Sequence, residues 1–240
     1  MLAQLPRHPV KPLLCIIGEP TELKPVLGQI RQTRHTLRCT GGGVSFGLCA
    51  PKRQRHRVCG AVDRRPESNG LATARSELHD SLFDPPFSTV QTDLISGGKA
   101  LKLNVVPADC PFDFEVRALP GQDPQAVTDQ LARYAEQQVL PHMRAVNGQS
   151  SICLSELSAY PELLTDTRSH AVRLISQFCG SSAFATVAFG TEGGLLDAVG
   201  IHTVVCGPGS MDQGHKGDEF ISVEQLDACD AMLERIARSL

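Results

Sequence analysis

LLCIIGEPTELK (residues 13–24) and IHTVVCGPGSMDQGHKGDEF (residues 201–220) decide how this chain is read. Each opens on a short, continuous apolar run that is cut off by glycine, proline and polar residues. That is the pattern of a strand buried on both faces, since a strand with one wet face alternates instead. Each run then enters a loop carrying one strong metal-ligating side chain, Glu19 in the first and His215 in the second. A carboxylate and an imidazole both suit zinc. Two donors do not complete a catalytic zinc site.

Helical patterns surround the second stretch. TRSHAVRLISQFCG (167–180) places Ala171, Leu174, Ile175 and Phe178 on one face. SVEQLDACDAMLERIARSL (222–240) begins with Ser222 and Gln225 at capping-box spacing and aligns Leu226, Cys229, Leu233 and Ile236. Strands alternating with helices predict a parallel α/β layer. The middle of the chain has a different texture. STVQTDLISGG (88–98), DCPFDFEVRALPG (109–121) and SSICLSELSAY (150–160) alternate polar and apolar residues, as strands with one solvated face do. DPQAVTDQLARYAEQQVLPHM (123–143) is a helix with Asp123 as cap, Pro124 at its first position and Val127, Leu131, Tyr134 and Val139 on one side. With TLRCT (36–40) as a first strand, the order fits a ferredoxin-like α+β domain, provided the segment after TLRCT supplies a helix. The predicted organisation is an α/β domain from 1–30 and 161–240, with residues 31–160 inserted as a smaller α+β domain.

Composition sets the outer limits. The 240 residues are 41% hydrophobic and 20% charged, ordinary for a globular chain of one or two domains, and the net charge of −3 gives no global reason to expect nucleic acid or an acidic membrane as partner. No apolar run reaches the roughly 18–20 residues that span a bilayer, and the opening MLAQLPRHPVKP lacks the succession of a signal peptide, so a cytoplasmic location is expected. The nine cysteines contain no C-x-x-C pair. Cys15, Cys153, Cys206, Cys179 and Cys229 sit in apolar strands or helices and read as reduced core residues.

The stretches CIIGEPTELKPVLG, FSTVQTDLISGG, NVVPADCPFDFEVRALPG, AFGTEGGL and VVCGPGSMDQGHKGDEF together resemble the acetylornithine deacetylase and succinyl-diaminopimelate desuccinylase family of dinuclear zinc amidohydrolases. The resemblance favours the acetylornithine deacetylase branch, which hydrolyses N-acetyl-L-ornithine to L-ornithine and acetate in arginine biosynthesis. It implies part of a zinc-aminopeptidase-like catalytic domain with an inserted ferredoxin-like lid and dimerisation domain. It also implies two zinc (or cobalt) ions that activate a water for attack on an amide, an N-acyl amino acid as substrate, and a homodimer formed through the lid. Glu19 is implied as a ligand of one ion and His215 of the other. Arg117 and Asn104 match positions that hold the substrate carboxylate or the developing oxyanion, the fork of a guanidinium suiting the former; an exposed strand arginine and a turn asparagine are the plain alternatives. Gly207 and Gly209 match the tight loop facing the substrate, and Glu192 matches a site-facing acid that could equally cap the short helix after it.

The family also carries an upstream segment with His-x-Asp, a bridging Asp and a Glu-Glu pair, which supply the remaining ligands and the general base. Neither His-x-Asp nor Glu-Glu occurs in the 240 residues. The opening resembles the helix and strand that follow that pair, so the chain reads as a C-terminal fragment with no retained general base and no catalysis of its own. Residues 41–80 read as aberrant. Codons for Ser45 through Ala61, taken from their second base, can spell His-Ser-Ala-Tyr-Ala-Pro-Pro-Ser-Gly-Asn-Ala-Ile-Glu-Tyr-Ala-Ala, which resembles the family's lid helix; an internal frameshift is the reading. KRQRHR (52–57) could suggest phosphate or RNA contacts, but an out-of-frame origin makes a solvated run the better reading, and no nucleic-acid partner is expected. The alternatives to a deacetylase relative are a non-enzymatic dimerisation or binding module and another amidase of the family, such as a desuccinylase.

Overall fold

The computed structural model describes residues 9, 10, 12–41, 44, 45, 79–97 and 105–239. Asn104, KRQRHR and most of residues 41–80 lie outside the described residues. The chain divides into two compact units, one drawn from Met1–Arg31, Ser81–Asp84 and Tyr160–Leu240, the other from Gln32–Asp80 and Pro85–Ala159.

In the first unit, strands β1 (Cys15–Ile17) and β2 (Val26–Gln29) share a sheet with β9 (Leu163–Leu164), β10 (Ala185–Val187) and β11 (Thr203–Val205). The order is β1-β11-β2-β10, with β9 on β2. Strand β1 runs parallel to β11, and β10 runs parallel to β2, while β2 and β11 meet antiparallel at Val26 and Val205. The reading of LLCII as a strand buried on both faces needs correction: β1 is at the edge of the sheet, its three residues are half-buried, and Leu13 is 73% exposed. The run on β11 is buried throughout because that strand has neighbours on both sides.

Among the described residues, three helices belong to this unit: His170–Cys179, Gly193–Asp197 and Val223–Ala237. The first is capped by the Ser169 hydroxyl, which accepts from Val172 N, and ends where Gly180 turns left-handed at φ 68°. Its inner face is Ala171, Val172 and Ile175. In the last helix Met232 is the buried residue, with Cys229 and Ile236 packed beside it, whereas Leu226 and Leu233 are exposed. The apolar stripe is therefore rotated from the one predicted, toward 229, 232 and 236, positions that fall on one side of a 3.6-residue helix.

In the second unit, β3 (Arg31–Thr40, its first residue counted with the other unit), β5 (Thr89–Ile95), β7 (Asp109–Ala118) and β8 (Ser151–Tyr160) form a sheet in the order β5-β7-β3-β8. Counting its strands along the chain, that is second, third, first, fourth, the order of a ferredoxin-like sheet. A two-residue pair, β4 (Val44–Ser45) with β6 (Val105–Val106), stands apart. The long helical segment is capped by Asp123, runs as α-helix from Pro124 to Tyr134, widens to a π turn over Ala135–Val139 and resumes over Leu140–Arg144. Pro141, with no N–H to give, sits at the start of the resumed helix, and the π turn accommodates the break. Leu131, Ala135, Val139 and Met143 pack on Leu37, Cys39, Cys110, Phe112, Phe114 and Val116 of the sheet. Cys153 is exposed on β8, a correction to its reading as a core residue: the alternation turns Ile152 and Leu154 inward and leaves Cys153 out.

Candidate functional site

The parallel pairing of β1 with β11, with Ile17 beside Val205, brings both strands to an end at the same edge and sets their loops side by side. Backbone groups then lock the loops together. Thr21 N and Leu23 N donate to Gly207 O at 3.1 and 2.9 Å, and Glu22 N donates to Gly209 O at 2.7 Å. Gly207 N donates in turn to the Thr21 hydroxyl at 3.2 Å. A Cβ at Gly207 would lie 2.6 Å from the carbonyl oxygens of both Gly18 and Glu19, so only glycine fits there. Gly209 adopts φ 85°. Among the described residues, the non-glycine positions with left-handed φ are Glu22, Leu23 and His215, all on these two loops. Such conformations cost energy and persist where the surroundings hold them.

Glu19 is half-buried on the first loop. His215 is exposed on the second, and its amide donates to a Glu219 carboxylate oxygen at 3.1 Å. Among the described residues, no group of three or more His, Cys, Asp and Glu side chains is arranged to hold a metal ion. Catalytic zinc takes three protein ligands and one open position, so the donors present do not by themselves fit zinc.

The other predicted residues are distributed between the two units. Glu192 occupies the cap position before Gly193–Asp197, but its side chain makes no capping bond and is exposed, which corrects the capping alternative. The neighbouring Thr191 hydroxyl receives Gly193 N at 3.0 Å instead. That loop is anchored by Gln29, buried at 0% exposure, whose amide nitrogen donates to Pro161 O at 2.9 Å and Thr191 O at 3.1 Å while its oxygen accepts from the Thr191 hydroxyl at 2.5 Å. Gln225 departs from the capping box as well. Ser222 accepts from Gln225 N, but the Gln225 side chain accepts from Gly209 N at 3.1 Å. It thus supports the loop of Gly207 and Gly209, a contact that the S-x-x-Q spacing gave no reason to expect.

Arg117 lies in the second unit, on the sheet face opposite the helix. Its Nε donates to Glu115 at 2.5 Å, Arg34 Nε donates to the same carboxylate at 2.9 Å, and Gln32 donates at 2.5 Å. Burial pushes Glu115 upward, but the hydrogen bonds and charges of Arg117 and Arg34 more than offset this and hold it below the usual glutamate range. Asp93 shifts the other way, raised by burial and by the Glu115 charge. Glu115 is not among the residues singled out from the sequence; the alternation in DFEVR, which sets Asp113, Glu115 and Arg117 on one face, is the signal that could have found this cluster.

Comparison with known proteins agrees with this architecture. A peptidase dimerisation domain matches residues 52–143. The chain is 33% identical over 227 residues to the acetylornithine deacetylase of Myxococcus xanthus, covering 92% of this chain and 56% of that protein. It is 29% identical over 232 residues to the acetylornithine deacetylase of Pasteurella multocida (strain Pm70), covering 95% and 57%. The chain belongs to the acetylornithine deacetylase and succinyl-diaminopimelate desuccinylase family, and it spans somewhat over half the length of these relatives. In fold it resembles the dipeptidase Dug1p of Saccharomyces cerevisiae, with a TM-score of 0.64 at 12% identity, covering 92% of this chain and 57% of that one. It likewise resembles a tripeptidase of Staphylococcus aureus, with a TM-score of 0.62 at 14% identity, covering 95% and 57%. No helix among the described residues is long and apolar enough to cross a membrane.

Proposed function

We propose that the chain is part of a metal-dependent amidohydrolase of the acetylornithine deacetylase type, in which Glu19 and His215 each supply one zinc ligand and Gly207 and Gly209 shape the loop facing an N-acyl amino acid. Residues 1–30 and 161–240 are then catalytic-domain sequence, and 31–160 the lid and dimerisation domain, with Arg117 and Asn104 holding the substrate carboxylate or the developing oxyanion and Glu192 as a site-facing acid on the substrate side. The observation that carries this reading is the strained, glycine-dependent lock between the two candidate ligand loops. Zinc, when bound with its full ligand set, would polarise the amide carbonyl and activate water. With one ligand per ion and no general base, the 240 residues alone are inactive. Residues 45–61 are read as out-of-frame coding of the lid helix, which the encoding DNA decides directly. The matched dimerisation domain favours a homodimer, and light scattering of the purified chain tests it.

The activity test is a fusion of the N-terminal part of the Myxococcus xanthus relative to this chain, assayed with zinc or cobalt on N-acetylornithine and N-succinyl-diaminopimelate. Metal-dependent hydrolysis of the former, abolished by Glu19→Ala or His215→Ala, supports the reading. Activity unchanged by both substitutions contradicts it.

A further inference from the structure

We propose that Cys179 and Cys206 form an oxidisable dithiol, closing to an intramolecular disulfide when the chain meets a low-molecular-weight disulfide. Their sulfurs are 3.2 Å apart although 27 residues separate them, and Cys179 Sγ lies 3.4 Å from Met232 Sδ. Both thiols are free. A disulfide bond is about 2.05 Å long, so the sulfurs need approach by only about 1.2 Å. Cys179 is the last residue of helix His170–Cys179 and is half-buried, whereas Cys206, just beyond β11, is 1% exposed. One thiol is therefore open to a small oxidant and the other waits behind it.

The two groups differ in chemistry as well as access. The hydrogen bond with Cys206 lowers the Cys179 thiol against the opposing effect of burial, and the Arg235 guanidinium adds to the lowering. Arg235 is held nearby by donating to Phe178 O at 2.6 Å. Cys206, through its hydrogen bond with Cys179 and its burial, is pushed far up. A thiolate is the attacking form and low-pKa, partly exposed cysteines are the reactive ones. Cys179 attacks one sulfur of the small disulfide RSSR, forming a mixed disulfide and releasing one thiolate, which takes up the Cys206 proton. The Cys206 thiolate then attacks Cys179 Sγ and expels the second thiolate, which gains the proton Cys179 had lost. Two protein thiols and RSSR become one protein disulfide and two RSH. The bond would fasten the helix to the residue next to Gly207, whose amide and carbonyl hold Thr21 beside Glu19.

The test is oxidation of the reduced full chain with oxidised glutathione under native conditions, followed by an acid quench, alkylation and peptide mapping without reduction. The expected product is a peptide pair joined through Cys179 and Cys206, two hydrogens lighter than its separate thiol parts, with loss of alkylation at both. Cys153→Ser and Cys229→Ser leave that link in place, and Cys206→Ser traps a glutathione adduct on Cys179. If Cys206→Ser does not fold, the map of the unsubstituted chain still decides. A persistent glutathione adduct on Cys179 with Cys206 free, a Cys179–Cys229 link in its place, or the same set of links after oxidation in denaturant would overturn the proposal.

Discussion

The two units hold their polar groups by opposite means. In the first, the loops that carry Glu19 and His215 are fixed by backbone: amides of Thr21, Glu22 and Leu23 on the carbonyls of Gly207 and Gly209, with left-handed residues on both sides. In the second, the polar sheet face is fixed by side chains converging on the Glu115 carboxylate. A backbone lock tolerates almost no change of shape but little depends on charge, so it should fail on added volume. A carboxylate hub tolerates changes of shape but depends on protonation, so it should fail on added acid.

The largest expected effect is therefore steric. Gly207→Ala places a methyl 2.6 Å from two carbonyl oxygens, and Gly194→Ala drives one into the carbonyl oxygens of Pro161 and Glu162. Each should lose about 3 kcal/mol, the upper end for overpacking, read as a lower denaturation midpoint. Gly18→Ala, where a Cβ meets nothing within 4 Å, is the matched control and should cost far less.

Next comes the hub. Glu115→Gln keeps the shape and removes the charge that Arg34 and Arg117 address. Because those arginines are 52% and 42% exposed, the loss should be about 1 kcal/mol near neutral pH. Glu115 is held below its unfolded value, so its contribution is fully present above the ordinary glutamate range and lost as pH falls through the lower folded value. The parent chain should lose stability over that acid window and the glutamine variant should lose less.

A second acid-side effect sits in the same unit. His35 stacks on Phe114 at 5.3 Å, and its buried Nε2 has no hydrogen-bond partner. Burial depresses its pKa, with Glu156 acting weakly in the other direction. The unfolded chain therefore takes up the proton first, and stability that is full above about pH 6.5 falls as pH drops toward the folded value. His35→Leu should flatten that slope in thermal melts at stepped pH. The smallest expected change is Gln225→Leu, which leaves Gly209 N without its acceptor and should cost about 0.5 kcal/mol.

What could be read from the sequence follows the same division. Alternation gave the strands of the second sheet, because side-chain direction repeats every two residues, but the convergence of Gln32, Arg34 and Arg117 on Glu115 was not anticipated. Asp123, Pro124 and Ser222 marked helix starts through local chemistry that the structure reproduces. The loop residues Glu19, Gly207, Gly209 and His215 were found through motif resemblance. Their mutual lock was not, since it joins residues nearly two hundred positions apart through main-chain groups that every residue type carries. A separation of 162 positions likewise hid Gln29 under the Thr191 loop, whereas Gln225 lies only 16 positions from Gly209 and was hidden because its S-x-x-Q spacing points to a helix cap instead. The position of β1 at the sheet edge was equally hidden, since an apolar run looks the same at an edge as at the centre.

The most direct measurement is zinc content. The purified 240-residue chain, dialysed against zinc and then against metal-free buffer, should retain no stoichiometric metal, because no group of three or more His, Cys, Asp and Glu among the described residues is arranged to hold an ion, and a stable catalytic site takes three protein ligands. Retention of one or two zinc ions per chain, lost on Glu19→Ala or His215→Ala, would contradict this and show that the two loops build a metal site unaided.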